Sequence, residues 1–173
     1  MRRSLFVTAA AVALIAALAP PAGAVDTITT FTISGGALAI TAPASANLGS
    51  ATSGATSVSG QLGTVTVTDT RAALVAAWTA SASSSAFTTG GGSAAETIAA
   101  SSITYSPGLA TATTGLGVFT PGAAGVLGAS RTAFTLAAGT GNNTATWNPT
   151  ISVALSASAV AGTYTGTITH SVA

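Results

Sequence analysis

The amino-acid sequence predicts an all-β protein, an antiparallel β-sandwich. Apolar side chains alternate with Thr or Ser along several segments, clusters of Gly, Pro and Asn separate those segments, and no apolar stripe of helical period persists beyond the first residues. The alternation places one face of each strand in a core and the other in water. Many short strands at this spacing are typical of a sandwich or a barrel.

The first 24 residues read as a secretory signal peptide rather than as part of the fold. Arg2 and Arg3 precede an apolar run from Leu5 to Ala19, and the small-residue sequence Ala22-Gly23-Ala24 supplies a cleavage site. A retained anchor is the less favoured interpretation, because spanning a bilayer takes about 18 or more apolar residues. We therefore predict cleavage after Ala24 and a secreted, extracellular chain of residues 25–173 with no further transmembrane segment.

Composition excludes one class of partner and restricts the means of stabilisation. Removing the signal leaves two Arg against three acidic side chains, a formal net charge of −1, and the whole chain has neither Lys nor Cys. Nucleic-acid binding needs many cations to neutralise phosphates, so we do not expect it. Without disulfides an exported domain depends on its core and strand pairing. Low charge also means that copies repel one another weakly, which favours self-association.

Residues 25–173 are expected to form a single domain, because no change in composition divides them. Strands are predicted at Thr27–Ile33, Ala37–Thr41, Leu62–Asp69, Leu74–Ala82, Ile98–Tyr105, Thr132–Leu136, Thr150–Leu155 and Thr163–Val172. Turns are predicted at Gly35-Gly36, Gly90–Gly92, Ser106–Gly108, Pro121-Gly122 and Gly139–Asn143. Ser93–Ala99 is expected to form one helical turn, and Ala42–Gly60 a long loop that includes an edge strand.

Residues suited to acid–base chemistry are few. General acid–base catalysis needs positioned titratable groups, and residues 25–173 contain one His, two Asp and one Glu. Asp69 and Glu96 form the only plausible carboxylate pair, and no nucleophile motif accompanies His170. His170 shares the predicted strand face of Ile168 and Val172, which indicates a partly buried side chain. We therefore expect no enzyme activity, no metal site and no cofactor.

Two constellations are more informative, and the first ends a predicted strand. The sequence Val65-Thr66-Val67-Thr68-Asp69-Thr70-Arg71 is followed by Trp78. A carboxylate and a guanidinium two residues apart can satisfy loop amides and carbonyls where the chain turns. In the favoured interpretation they fix that turn and Trp78 is a core anchor. In the alternative, Trp78 is exposed and stacks on sugar rings or on a partner.

The second constellation lies near the C-terminus. Trp147 precedes Asn148-Pro149, and Pro149 predicts an edge, a bulge or a strand start because proline cannot donate to a ladder. After a turn at Ala161-Gly162, Tyr164 resembles the Tyr that pins a corner in immunoglobulin-like sandwiches. The predicted fold is therefore an immunoglobulin-like antiparallel β-sandwich.

Together the two constellations resemble the WxL-domain family of Gram-positive cell-surface proteins. The matching stretches are L-G-T-V-T-V-T-D-T-R at Leu62–Arg71, Trp78, and the closing W-N-P-T-I-S-V and A-V-A-G-T-Y-T-G-T-I-T. Trp78-Thr79-Ala80 and Thr169-His170-Ser171 depart from the family's motifs. The resemblance implies a β-rich domain that associates non-covalently with cell-wall peptidoglycan or with other surface proteins. A structural subunit of a surface layer or fibre is the alternative, motivated by low charge and Thr-rich strands.

Overall fold

The computed structural model describes residue 23 and residues 25–173, and it is nearly all β, with 49% strand and 4% helix. The predicted all-β, antiparallel, sandwich-like fold is confirmed. The chain divides into two compact units, residues 1–32 and 33–173. The described part of the first unit carries neither strand nor helix. The signal peptide and its cleavage after Ala24 fall outside the described residues, Gly23 excepted, and stay a prediction.

Twelve strands and two short 3₁₀ helices are assigned in the described part of the chain. The strands are β1 Leu38–Thr41, β2 Ser57–Gln61, β3 Val65–Asp69, β4 Ala76–Ser84, β5 Phe87–Thr88, β6 Thr97–Ile98, β7 Ile103–Ser106, β8 Ala110–Pro121, β9 Gly125–Val126, β10 Arg131–Trp147, β11 Thr150–Ala154 and β12 Ile168–Val172. The 3₁₀ helices are Ala94–Glu96 and Ala100–Ser102.

The strands form two antiparallel sheets and a small pair. The larger sheet has six strands in the order β1-β3-β10-β4-β12, with β8 also paired to β10. The smaller sheet has the order β2-β11-β7-β9, and β5 pairs with β6. Both β3 and β4 run antiparallel to β10, one along its second half and the other along its first half. β8 pairs with the other edge of β10. β3 and β4 therefore lie end to end along one edge of β10, like one long strand that is interrupted between Thr70 and Val75.

The core contains aromatic and aliphatic side chains from both sheets. Trp78 on β4 and Trp147 on β10 are the largest buried side chains, and Tyr105, Phe134, Ile103 and Leu127 are the next largest that are fully buried. The rings of Phe134 and Trp147 stack with centroids 5.0 Å apart. Aromatic side chains bury the most apolar area per residue, so they contribute most to the hydrophobic stabilisation of this disulfide-free domain.

Four predictions about strands and turns were wrong. Ile98–Tyr105 is not one strand, because the 3₁₀ helix Ala100–Ser102 separates β6 from β7. Thr27–Ile33 is not a strand: Ile28 is 92% and Phe31 88% exposed, since alternation stabilises a strand only where a neighbouring strand supplies the ladder. Gly139–Asn143 is not a turn but lies inside β10. β8 was not predicted, because its Gly residues and weak alternation do not resemble a strand.

The glycines of β8 mark a close approach of two backbones. Gly115 and Gly117 have φ of +86° and +136°, in the region that favours glycine. A Cβ at Gly115 would clash with the carbonyl oxygen of Asn142, on β10. The pairing of β8 with β10 shifts register here. These glycines therefore lie opposite two register irregularities in which β10 carries the extra residues, a feature that a sequence pattern does not distinguish from a turn.

Several smaller predictions are confirmed or corrected. The loop Ala42–Gly60 does contain most of an edge strand, β2. The helical turn at Ser93–Ala99 is the 3₁₀ helix Ala94–Glu96, whose N-cap is Ser93. The last predicted strand is shorter than expected, because only its second half pairs with β4. Pro149 lies between β10 and β11, where its ring interrupts no ladder.

Candidate functional site

The interruption between β3 and β4 brings together three of the residues singled out in the sequence. Asp69 ends β3, Arg71 follows in the loop, and Trp78 lies on β4. The Asp69 side chain is fully buried. Its Oδ1 accepts hydrogen bonds from the Arg71 backbone N at 3.0 Å and Nε at 2.9 Å, and its Oδ2 accepts one from Nη2 at 2.8 Å. This is a bidentate, charge-assisted pair, the strongest type of side-chain hydrogen bonding.

Asn143 connects this ion pair to Trp78. Its Nδ2 donates to Asp69 Oδ2 at 3.4 Å, and its Oδ1 accepts a hydrogen bond from Trp78 Nε1 at 2.8 Å. Trp78 is only 3% exposed and its ring packs on Phe119 of β8. The favoured interpretation, a turn-fixing pair with a core anchor, is confirmed, and Trp78 offers no free face for a sugar ring.

The ion pair controls the protonation of both partners. The Arg71 hydrogen bonds lower the pKa of the Asp69 carboxyl below its usual value, although burial opposes this effect. The Asp69 carboxylate in turn raises the pKa of Arg71. Asp69 is therefore ionised at neutral pH, and its charge is compensated where it is buried.

The loop between β3 and β4 is held by further hydrogen bonds. Arg71 Nη2 donates to the carbonyl of Ala77 at 2.9 Å, and Ala72 N donates to Asn142 Oδ1 at 3.1 Å. β10 continues past the interruption, and its Gly141 N donates to the carbonyl of Ala73 at 2.8 Å. Hydrogen bonds thus tie this exposed loop to β4 and β10, although the loop belongs to no ladder.

The same loop presents two apolar side chains to solvent. Leu74 and Val75 are 83% and 77% exposed. They directly precede β4, which the sequence analysis had expected to begin at Leu74. The start of that strand was therefore placed two residues too early.

A second polar chain crosses the sandwich. Trp147 Nε1, on β10, donates to the hydroxyl of Tyr105, on β7, at 3.0 Å, and that hydroxyl lies 3.0 Å from His170 Nε2, on β12. Burial raises the pKa of Tyr105 to about 12 and lowers the pKa of His170. Trp147 is fully buried, so it too is a core anchor. His170 is half-buried beside Ile168 and Val172, as predicted.

Tyr164 has the predicted structural position. Its hydroxyl donates to the carbonyl of Val160, four residues upstream, at 2.9 Å, and lies 3.2 Å from that of Ala95. This is the bonding pattern of the Tyr that pins a corner in immunoglobulin-like sandwiches. Tyr164 and Trp147 hydrogen-bond outside the Asp69 network.

Asn143 is the member of the Asp69 network that the sequence analysis missed. Alternation backward from Trp147 through Ala145 places Asn143 on the inward face of β10. That signal was available in the sequence, but it was hidden by the prediction of a turn at Gly139–Asn143.

The two carboxylates considered for catalysis both accept hydrogen bonds from backbone N–H groups. Asp69 binds Arg71, and Glu96 Oε2 accepts a hydrogen bond from Ser93 N at 2.9 Å. Hydrogen bonding by the Ser93 side chain, and then by the Ser93 backbone N, lowers the pKa of Glu96. Among the described residues, no group of three or more His, Cys, Asp or Glu side chains could hold a metal ion. In the same part of the chain, no helix has the length and apolar character to cross a membrane.

A cavity of about 1110 Å³ lies between the loops 42–56 and 156–167. Aliphatic side chains of β2 and β11 contribute to its lining, among them Val58, Ile151 and Val153. His170 is the one titratable side chain besides Tyr164 among the described residues that line it. The described lining contains no carboxylate, Lys or Arg, so the cavity suits an uncharged group and offers no carboxylate–histidine pair for acid–base catalysis.

The outer edge of β8 is the longest strand edge that has no partner among the described strands. β8 has 12 residues, none of them charged, and pairs only with β10 among the described strands. Most of its side chains are exposed, including Leu116 and Val118. Natural proteins usually protect such an edge with charges, proline or a covering segment, because its free N–H and C=O groups can pair with another chain.

Comparisons with known proteins add no assignment. No protein-family model, curated protein or solved structure matches this chain.

The contribution of Asn143 to stability can be measured by replacing it with Leu. Asn143→Leu keeps the volume but leaves Trp78 Nε1 buried without an acceptor, so we expect a loss of about 1–3 kcal/mol in the free energy of unfolding. Thr132→Leu, also on β10, is the matched control, because Thr132 is exposed and its side chain makes no hydrogen bond, and it should cost no more than about 0.5 kcal/mol. Urea unfolding measures both. Equal losses would contradict a buried network centred on Asn143.

Acid should destabilise the protein through Asp69. Above its unfolded pKa near 3.8 the carboxylate is charged in both states, and its pairing with Arg71 contributes fully. As pH falls toward the lower folded pKa, the unfolded state binds the proton first and stability is lost. We expect the urea midpoint to fall below about pH 4, and to fall less steeply in Asp69→Asn. Glu96→Gln is the control; if it alone removes the slope, Asp69 is not responsible.

Proposed function

We propose that this protein is a structural subunit of an extracellular surface layer or fibre, whose copies associate through the edge of β8. The observation that carries the proposal is the length and neutrality of that edge: 12 residues without a charge, unpaired on one side among the described strands. An added strand gains main-chain hydrogen bonds along such an edge. Export of residues 25–173 is part of the proposal and rests on the predicted signal peptide.

Two further features support assembly. The chain is only 4% charged, so electrostatic repulsion between copies is weak. Exposed Leu116 and Val118 lie on β8 itself, so apolar side chains accompany the free backbone groups. By contrast, the buried Trp78 and Trp147 are unavailable for stacking on a glycan. Their burial favours the structural alternative over wall binding through tryptophan.

Charges placed on the edge should prevent assembly. Thr113→Lys with Val118→Lys adds one Lys on each side of Gly115 and Gly117, at exposed positions whose side chains make no hydrogen bond. We expect the concentration at which larger species form to rise at least about tenfold, equivalent to about 1.4 kcal/mol. Light scattering of the exported protein over a concentration series measures this.

The matched control adds the same charge elsewhere. Leu74→Lys with Val75→Lys places two Lys on the exposed loop between β3 and β4, and should leave assembly unchanged. An equal effect of both pairs would show that net charge, not the β8 edge, controls association. A native protein that stays monomeric at every concentration would overturn the proposal.

The resemblance to the WxL-domain family supports a second candidate, non-covalent association with cell-wall peptidoglycan or a surface partner. The specific observation is the exposed Leu74-Val75 pair, which lies in the loop that the Asp69–Arg71 pair fixes. Exposed apolar side chains at a fixed position are typical of contact surfaces. In this candidate the tryptophans stabilise the loop and do not contact the ligand.

Sedimentation with purified peptidoglycan tests this candidate. Leu74→Ser with Val75→Ser should reduce the bound fraction several-fold, because it removes the apolar contact without touching the buried network. Leu109→Ser, at another exposed apolar position, is the control and should bind as the native protein does. No binding by the native protein, or equal binding by the Leu74-Val75 variant, would refute this candidate.

A further inference from the structure

The described N-terminal segment pairs with no other described strand before Gly36. No strand or bridge is assigned between residues 25 and 37. The apolar side chains of the segment, Val25, Ile28, Phe31 and Ile33, are 76–92% exposed. Four aliphatic or aromatic side chains within nine residues are costly to leave in water, at about 25 cal/mol per Å² of apolar surface. The segment therefore has the composition of a strand but lacks a partner.

We propose that Thr27–Ile33 of one copy pairs as an added strand with the first half of β8, Ala110–Thr114, in a second copy. This inference rests on the proposed function and names the partner of the β8 edge. The donor stretch has seven residues, and the acceptor stretch has five residues that precede Gly115. At about 3.3 Å per residue, the donor is long enough to cover that half of the edge.

Sequence and backbone geometry favour this half of β8. Its register with β10 is continuous from Ala112 to Thr114, so the strand is regular there. Beyond it, Gly115 and Gly117 have positive φ and interrupt the register. The regular stretch that follows, Val118–Pro121, ends in a proline, which has no N–H to donate to an added strand. Neither the donor nor the acceptor stretch contains a charge, so no electrostatic repulsion opposes their pairing.

The pairing also explains how assembly would continue beyond two copies. The donor segment and the acceptor edge are different surfaces of the same chain, so each copy offers both. A contact between two different surfaces is heterologous and propagates from copy to copy when the rotation does not close. The result is a linear assembly, which corresponds to the fibre; a layer needs a second contact between such lines.

Disulfide trapping tests the contact, because the chain has no native Cys. Single-cysteine variants Ile28→Cys, Phe31→Cys and Ile33→Cys are each mixed with Thr113→Cys in an isotopically labelled copy of the exported protein under mild oxidation. Mass spectrometry counts heterodimers. We expect at least one donor position to give about fivefold more heterodimer with Thr113→Cys than with the control Leu74→Cys, which is also exposed.

A proline in the donor segment distinguishes strand pairing with β8 from cysteine trapping by random collision of the two copies. Thr29→Pro removes a backbone N–H donor from a segment that pairs with no described strand, so it leaves the sandwich intact. It should abolish the excess heterodimer and raise the concentration at which larger species form. Equal trapping at Thr113 and Leu74, or trapping unaffected by Thr29→Pro, would overturn the inference. If Thr113→Lys with Val118→Lys blocks assembly while Thr29→Pro does not, this inference fails but the proposed function stands. If the native protein never assembles, both fail.

Discussion

The fold depends on how the chain passes the interruption between β3 and β4. Two strands lie end to end along the 17 residues of β10, and the six residues between them leave the ladder. Most of these six residues are exposed, but the Asp69 carboxylate at the end of β3 is buried and would be costly to leave without partners. Asp69 accepts three hydrogen bonds from Arg71, and Arg71 reaches the carbonyl of Ala77 at the start of β4. One ion pair thereby joins two short strands into one long one.

The same network couples the interruption to the core. Asn143 of β10 binds both Asp69 and Trp78, so the position of the loop is fixed against the strand that pairs with both β3 and β4. Trp78 then packs on Phe119, which orients β8 on the far edge of β10. Buried polar networks of this kind are stabilising only when every member is satisfied. Their role here is to hold strands in register, so the polar residues of the motif serve architecture.

The consequence for function is that Trp78 and Trp147, which stand out in the sequence, are buried. β8, which has no clear strand pattern in the sequence, is exposed at the edge of the larger sheet. Large aromatic side chains gain most from burial, so in a chain without disulfides they anchor the core. The neutral β8 edge and the unpaired N-terminal segment retain capacity for backbone hydrogen bonding. Association through main-chain groups needs little sequence information beyond the absence of charge and of proline within the pairing stretch. A surface of this type is easily missed among Ala, Thr and Gly.

Period-two alternation by itself determined the all-β class, most strand positions and the partly buried His170, because these depend on local pattern. The corner at Tyr164 was predictable from its place after the Ala161-Gly162 turn. The Asp69–Arg71 pair was predictable because its members are two residues apart. Only the tertiary structure decided that Thr27–Ile33 lacks a partner, that Gly139–Asn143 continues a strand, and that Asn143 completes the buried network. Each of these depends on which segments become neighbours across the sheet, and ladder pairing between distant segments leaves no local signature in the sequence.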